Sequence, residues 1–148
     1  MQELIRDLHE LKLLAHGFVE KHPRGAIVGL SGELGSGKTT FVRNVINVLA
    51  GKTGIKVERV MSPSFVLHQS YPDLSPPVEH FDLYRMEKVT RDMLVELEYY
   101  EIVERVRNHQ GFLFVEWPEQ CLDKSTLKLN LNIEIEFIGS GRQFKIFS

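Results

Sequence analysis

The chain has 148 residues, 43% of them hydrophobic and 26% charged, a balance that suits one globular domain over residues 1–148 with a core of useful size. Eighteen basic against twenty acidic residues leave a net charge of −2. That gives no global basic field for nucleic-acid binding, and no apolar run nears the roughly 18 residues of a membrane-spanning helix.

In chain order, the amino terminus reads without a basic segment followed by a secretory apolar stretch. A single cysteine, Cys121, permits no internal disulfide, fits a reducing cytoplasm and is read as a bland residue. Glu3 to His22 places Leu4, Leu8, Leu11, Ala15 and Phe18 along one side, which predicts an amphipathic helix ended by Pro23-Arg24-Gly25. Ala26 to Leu30 is a short apolar run of buried-strand character. Thr39 to Ala50 is helical again, with Phe41, Val42, Val45, Ile46, Val48 and Leu49 on its apolar face and Gly51 as the expected stop. Val57 to Ser62 and Phe65 to Tyr71 read as strands punctuated by Pro63. The turn chemistry of Pro72 to Pro77 then joins Phe65 to Tyr71 with a further strand, Val78 to Tyr84, in an antiparallel hairpin. Met93 to His109 predicts one helix with Leu94, Leu97, Ile102, Val103 and Val106 inside. Phe112 to Val115 is a compact buried strand ending at Glu116. Leu127 to Ile138 alternates apolar and polar residues, and Gly139 to Arg142 turns it into Gln143 to Phe147. The fold class read from this order is α/β of P-loop NTPase type. A mixed central sheet is flanked by helices, with an antiparallel hairpin insertion and antiparallel C-terminal strands.

Between the first strand and its helix, Gly32 to Thr39 reads G-E-L-G-S-G-K-T, a complete phosphate-binding loop. Its four fixed positions arise by accident in only about one chain in two hundred of this length. The chemistry follows from the backbone. Glycines let the main chain curl so that successive N–H groups point inward, and the following helix adds its positive dipole end. The binding set is Glu33, Leu34, Gly35, Ser36, Gly37, Lys38, Thr39 and Thr40. Lys38 is expected to reach the β- and γ-phosphates of a nucleoside triphosphate and Thr39 to ligate Mg²⁺, with Thr40 as a secondary hydroxyl.

A phosphate loop also needs an acid to hold or orient the metal shell, usually at the end of a neighbouring strand. Asp82 and Glu116 both fit. Glu116 has the better buried-strand approach and is expected to act through a metal-bound water or to polarise the attacking water, while Asp82 completes the shell from the hairpin. Each also has a structural reading, since acidic strand ends cap turns or pair with arginines. Trp117 reads either as a stacking group beside the site or as the filler of a hydrophobic edge.

Gly32 to Phe41, Ser62-Pro63-Ser64-Phe65, His80-Phe81-Asp82-Leu83-Tyr84-Arg85 and Glu116-Trp117-Pro118-Glu119 occur in the order found in the TsaE family, also called YjeE. The resemblance covers roughly residues 26 to 119. It implies a small bacterial ATPase required for threonylcarbamoyladenosine formation on tRNA, working with TsaB and TsaD, with tRNA met indirectly through that complex. By motif, Lys38 matches the phosphate-binding lysine, Thr39 the Mg²⁺ hydroxyl, and Asp82 and Glu116 the acids of metal binding and hydrolysis. Ser64 stands where Thr is commoner and keeps the hydroxyl that would position water or the γ-phosphate. Leu94 to Glu104 departs from the family, lacking the glycine that often follows the corresponding Glu-Leu pair.

The resulting expectation is slow phosphoryl transfer from ATP to water, with Glu116, Ser64 and Asp82 as the catalytic set and Arg85 as a candidate finger unless a partner completes the site. A small-molecule or nucleotide kinase would use the same loop but also needs an acceptor pocket and usually an arginine-bearing lid, and no lid insertion can be placed in this chain. A module in which ATP orders an interface and hydrolysis releases it is the other alternative.

Overall fold

The computed structural model describes residues 1–57 and 67–148. The predicted strand from Val57 to Ser62, the start of the one from Phe65 and the candidate Ser64 therefore fall on or beyond the boundary of the described residues. Among those residues the chain runs β1 (Gln2–Ile5), α1 (Leu8–Lys21), β2 (Ala26–Gly32), α2 (Lys38–Thr53), β3 (His68–Tyr71), β4 (Val78–Asp82), α3 (Arg91–Glu96), α4 (Tyr99–Asn108), β5 (Phe112–Glu116), β6 (Leu131–Ile138) and β7 (Gly141–Phe147). The strands form one mixed sheet in the order β1-β7-β6-β2-β5-β4-β3. Parallel pairs join β6, β2, β5 and β4 at its centre, and antiparallel pairs extend it through β3 at one edge and through β7 and β1 at the other. This is the α/β architecture expected, with its hairpin and its antiparallel C-terminal strands.

Strand alternation divides the apolar residues between two layers. Val28, Leu30, Phe112, Phe114, Ile133 and Ile135 face α1 and α2, while Ile27, Leu113, Val115 and Phe81 face α3 and α4. All six residues assigned to the inner side of α2 are buried. Phe41 carries most of the joinery, with its ring against those of Phe18, Phe114 and Phe144. On the other layer, buried Glu79 accepts hydrogen bonds from Ser70 and Arg105 and contacts His68, tying β3 and α4 to β4. Burial opposes its ionisation, but these partners outweigh it and hold its carboxyl below the usual range.

Five expectations change. The first helix begins at Leu8, not Glu3, because Asp7 caps it by accepting from the Glu10 amide at 2.8 Å. Residues 2–5 pair instead with β7. The loop helix runs past Gly51 and stops at Gly54, whose φ of 72° supplies the left-handed cap. The helix predicted from Met93 to His109 is two helices, broken at Glu98 with φ 59°. The hairpin strand ends at Asp82, not Tyr84, where the Asp82 side chain accepts from the Tyr84 amide at 2.9 Å. The alternating strand starts at Leu131, since Lys124–Leu127 forms a 3₁₀ turn capped by Asp123. Among the described residues no helix is long and apolar enough to cross a membrane. Cys121 is buried and its thiol is pushed up to about 11, which leaves it a packing residue at neutral pH.

Candidate functional site

The loop between β2 and α2 is held open by backbone geometry. Gly35 and Gly37 adopt φ of 79° and 113°, values an L side chain resists. Gly37 caps α2 with no side-chain hydrogen bond, and the first turn of the helix contains no acid. Its leading amides therefore keep their donors for a ligand, and the helix dipole adds positive potential there.

Lys38 is 4% exposed, and its Nζ donates to Gly32 O at 2.6 Å and Glu33 O at 3.0 Å. Burial lowers its pKa, partly opposed by the charges of Glu116, Glu119 and Asp82. The ammonium also lies 4.3 Å from the centre of the Trp117 ring, within cation–π range. Trp117 reaches that position through a left-handed backbone with φ 62°, and its ring packs on Tyr84 at 5.0 Å.

Register brings the acids to the loop. Leu30 pairs with Glu116 and Glu116 with Asp82, so the ends of β2, β5 and β4 form one row at the carboxyl edge of the parallel strands. Paired residues share a sheet face, here the face of α2. Thr39 Oγ1 stands 2.8 and 2.9 Å from the two Glu116 carboxylate oxygens and donates to them. His80, two residues before Asp82 on the same face, places Nε2 at 2.5 Å from Glu116 Oε2 and is fully buried. Thr39 and the two acids floor a cleft of about 220 Å³ lined by Leu34, Gly35, Gly37, Lys38, Thr39, Thr40, Asp82, Tyr84, Arg85, Glu116 and Trp117.

Most predicted site residues thus come together. Glu33 contributes its carbonyl to Lys38, whereas its side chain is exposed. Ser36 is buried behind the loop, with its Oγ 3.5 Å from Lys38 Nζ. Sequence reasoning did not single out Tyr84 as a cleft residue, nor His80 as the partner of Glu116. The signal for His80 was its two-residue spacing from Asp82 on a strand, which puts both on one face.

A second cleft, of about 250 Å³, opens on the other side of the loop. It shares Gly35, Gly37 and Thr40 with the first, adds Ser36, and is walled by Ile5, Leu8, Leu11, Phe144 and Arg142. Arg142 Nε donates to Ser36 O at 3.2 Å, and its guanidinium lies over the Phe137 ring at 4.3 Å. No sequence signal marked this cleft, because it exists only where Ile5 pairs with Arg142 across the β1–β7 ladder.

The donor chemistry suits a hard divalent cation. The Thr39 hydroxyl and the carboxylates of Glu116 and Asp82 are oxygen donors at one rim. Among the described residues no group of three or more His, Cys, Asp or Glu side chains forms a metal cage. A sparse oxygen set is how Mg²⁺ is usually held when phosphates complete its shell.

Comparison with known proteins gives a concordant result. The family model "Threonylcarbamoyl adenosine biosynthesis protein TsaE" matches residues 5–144. The tRNA threonylcarbamoyladenosine biosynthesis protein TsaE of Synechocystis is 30% identical over 120 residues, covering 81% of this chain and 71% of its own. That of Bacillus subtilis is 30% identical over 132 residues, covering 82% of this chain and 75% of its own. A crystal structure of Bacillus subtilis YdiB superposes with a TM-score of 0.66 at 25% identity, covering 99% of this chain and 83% of that one.

Proposed function

Because this chain belongs to the TsaE family of tRNA threonylcarbamoyladenosine biosynthesis proteins, we propose that it is a Mg²⁺-dependent ATPase that supports turnover of a TsaB–TsaD complex. The observation that carries the reading is the meeting of the phosphate loop with a strand-end acid, Thr39 Oγ1 on the Glu116 carboxylate. In this reading the loop amides and Lys38 bind the phosphates, and Lys38 exchanges its carbonyl partners for phosphate oxygens. Its burial favours a bound anion, because a desolvated cation gains most from a counter-charge. The nucleoside lies in the second cleft, whose apolar wall and Arg142 adjoin the loop.

Thr39, Glu116 and Asp82 would hold Mg²⁺, which when bound supplies charge neutralisation at the phosphates. Glu116 accepts a proton from, or orients, the attacking water, and Asp82 steadies the same rim from β4. Arg85 lines the cleft beside Asp82 and is placed to approach developing negative charge. Among the described residues the cleft is rimmed by the loop, the strand ends and Trp117; slow turnover by the isolated chain and acceleration by partners are expected. Contact with tRNA is then indirect, through the complex.

Calorimetric titration tests the reading. Wild-type protein binds ATP in the presence of Mg²⁺, and Lys38→Ala abolishes tight binding; equal affinity of the two proteins overturns it. Phosphate release measured with and without TsaB and TsaD then separates the ATPase from a kinase, for which ADP formation depends on a nucleoside or small alcohol.

A further inference from the structure

We propose that His80 is a positioning residue for Glu116: a buried imidazole that fixes one carboxylate oxygen, and so sets the geometry in which this acid meets Thr39, Mg²⁺ and water. The inference rests on the nucleotide reading above and extends it to a side chain beneath the cleft.

The geometry is specific. His80 is 0% exposed and Glu116 2%, and the contact between Nε2 and Oε2 is 2.5 Å. His80 pairs with Phe114 on β5 and Gln69 on β3, one step down the strand from the Asp82–Glu116 pair. It therefore lies under the acid row and has no route to a ligand. Among the described residues the ring makes one hydrogen bond, to Glu116, and Nδ1 has no partner. Buried polar atoms are rarely left unsatisfied, and a histidine retained for packing alone would be expected to use both nitrogens or to be replaced by an apolar residue. Among the described residues the ring's one polar contact goes into the carboxylate.

That contact breaks a symmetry. Thr39 Oγ1 is nearly equidistant from the two Glu116 oxygens but has one proton to donate. A ring donating from Nε2 occupies Oε2 and leaves Oε1 as the freer acceptor at the cleft. Partners that orient a ligating side chain are worth about 10- to 100-fold in metal affinity or activity when removed.

The test compares His80→Gln, His80→Asn and His80→Leu. A glutamine amide reaches the position of Nε2, whereas an asparagine amide matches Nδ1 and stops short of Glu116. Folding is checked by circular dichroism and thermal melting. ATP affinity is measured by calorimetry with Mg²⁺ and with EDTA, and kcat and KM are measured separately. For His80→Asn and His80→Leu the Mg²⁺-dependent gain in ATP affinity and kcat fall about 10- to 100-fold. Metal-free ATP affinity stays at the wild-type value, and His80→Gln recovers most of the loss. Folded Asn and Leu variants with unaltered Mg²⁺ dependence overturn the proposal, as does a folded Gln variant no better than Asn. A wild-type protein that binds no ATP sinks the nucleotide reading itself, an outcome visible before any His80 variant is made.

Discussion

Thr39 and Glu116 stand 77 positions apart in the chain and meet at 2.8 Å, and the expected cost of breaking that meeting differs between chemistry and binding. Lys38 and the loop amides do not depend on Glu116 for their positions, since Lys38 Nζ is held by Gly32 O and Glu33 O. Glu116→Ala is therefore expected to keep the metal-free ATP affinity of the loop and to lose the Mg²⁺-dependent gain, while turning ATP over about 10²- to 10³-fold more slowly, read as phosphate release in a single turnover. Wild-type turnover by this variant removes Glu116 from the mechanism. The same change strands His80, at a stability cost of about 1–3 kcal/mol, which Glu116→Gln avoids by keeping the shape and an acceptor oxygen. Lys38 and Thr39 were legible because their spacing is itself the chemistry, and Asp82 and Glu116 because acids ending apolar strands are few. The role of His80 was not, because it requires knowing that β4 pairs with β5 in the register that sets His80 beside Phe114.

Between α3 and α4 the apolar pattern is continuous, and periodicity reads one helix where there are two. What breaks it is Glu98, exposed and left-handed at φ 59°, with no side-chain hydrogen bond to cap α4. This is the position following the Glu96-Leu97 pair, where the family resemblance drawn from the sequence implies a glycine. The departure is one of residue type while the backbone turn remains. A left-handed conformation costs a side-chain-bearing residue roughly 1–2 kcal/mol, and glycine returns roughly 0.5–1 kcal/mol of that as chain entropy. Glu98→Gly should then stabilise the protein by about 0.5–1 kcal/mol in urea denaturation; a destabilised variant would show that the Glu98 side chain contributes more than the strain it bears. The opposite error occurs at the amino terminus. Leu4 fits the helical stripe of α1, but residues 2–5 find their ladder partners on β7 at the far end of the chain, and no local signal reports such a pairing.

At the scale of the whole molecule the site follows from how the chain leaves the sheet. From β2 it passes to α2 on one face, and from β4 to α3 and α4 on the other, which opens a crevice at the carboxyl ends of the parallel strands. One ligand there would touch the β2–α2 loop, the ends of β4 and β5 and, through the second cleft, β1 and β7. Elements from both ends of the chain must be folded for it to bind, so binding free energy appears in full as global stability. At an ATP concentration 100 times Kd this amounts to about 2.7 kcal/mol. For a chain of this size each kcal/mol moves the midpoint by about 2–4 °C, so ATP with Mg²⁺ is expected to raise Tm by about 5–10 °C. The shift should grow with the logarithm of ATP concentration, and Lys38→Ala should lose it while melting as wild type does without nucleotide. Equal shifts in the two proteins would place ATP somewhere other than the loop, and a wild-type midpoint unmoved at saturating ATP would mean that the folded chain does not bind it.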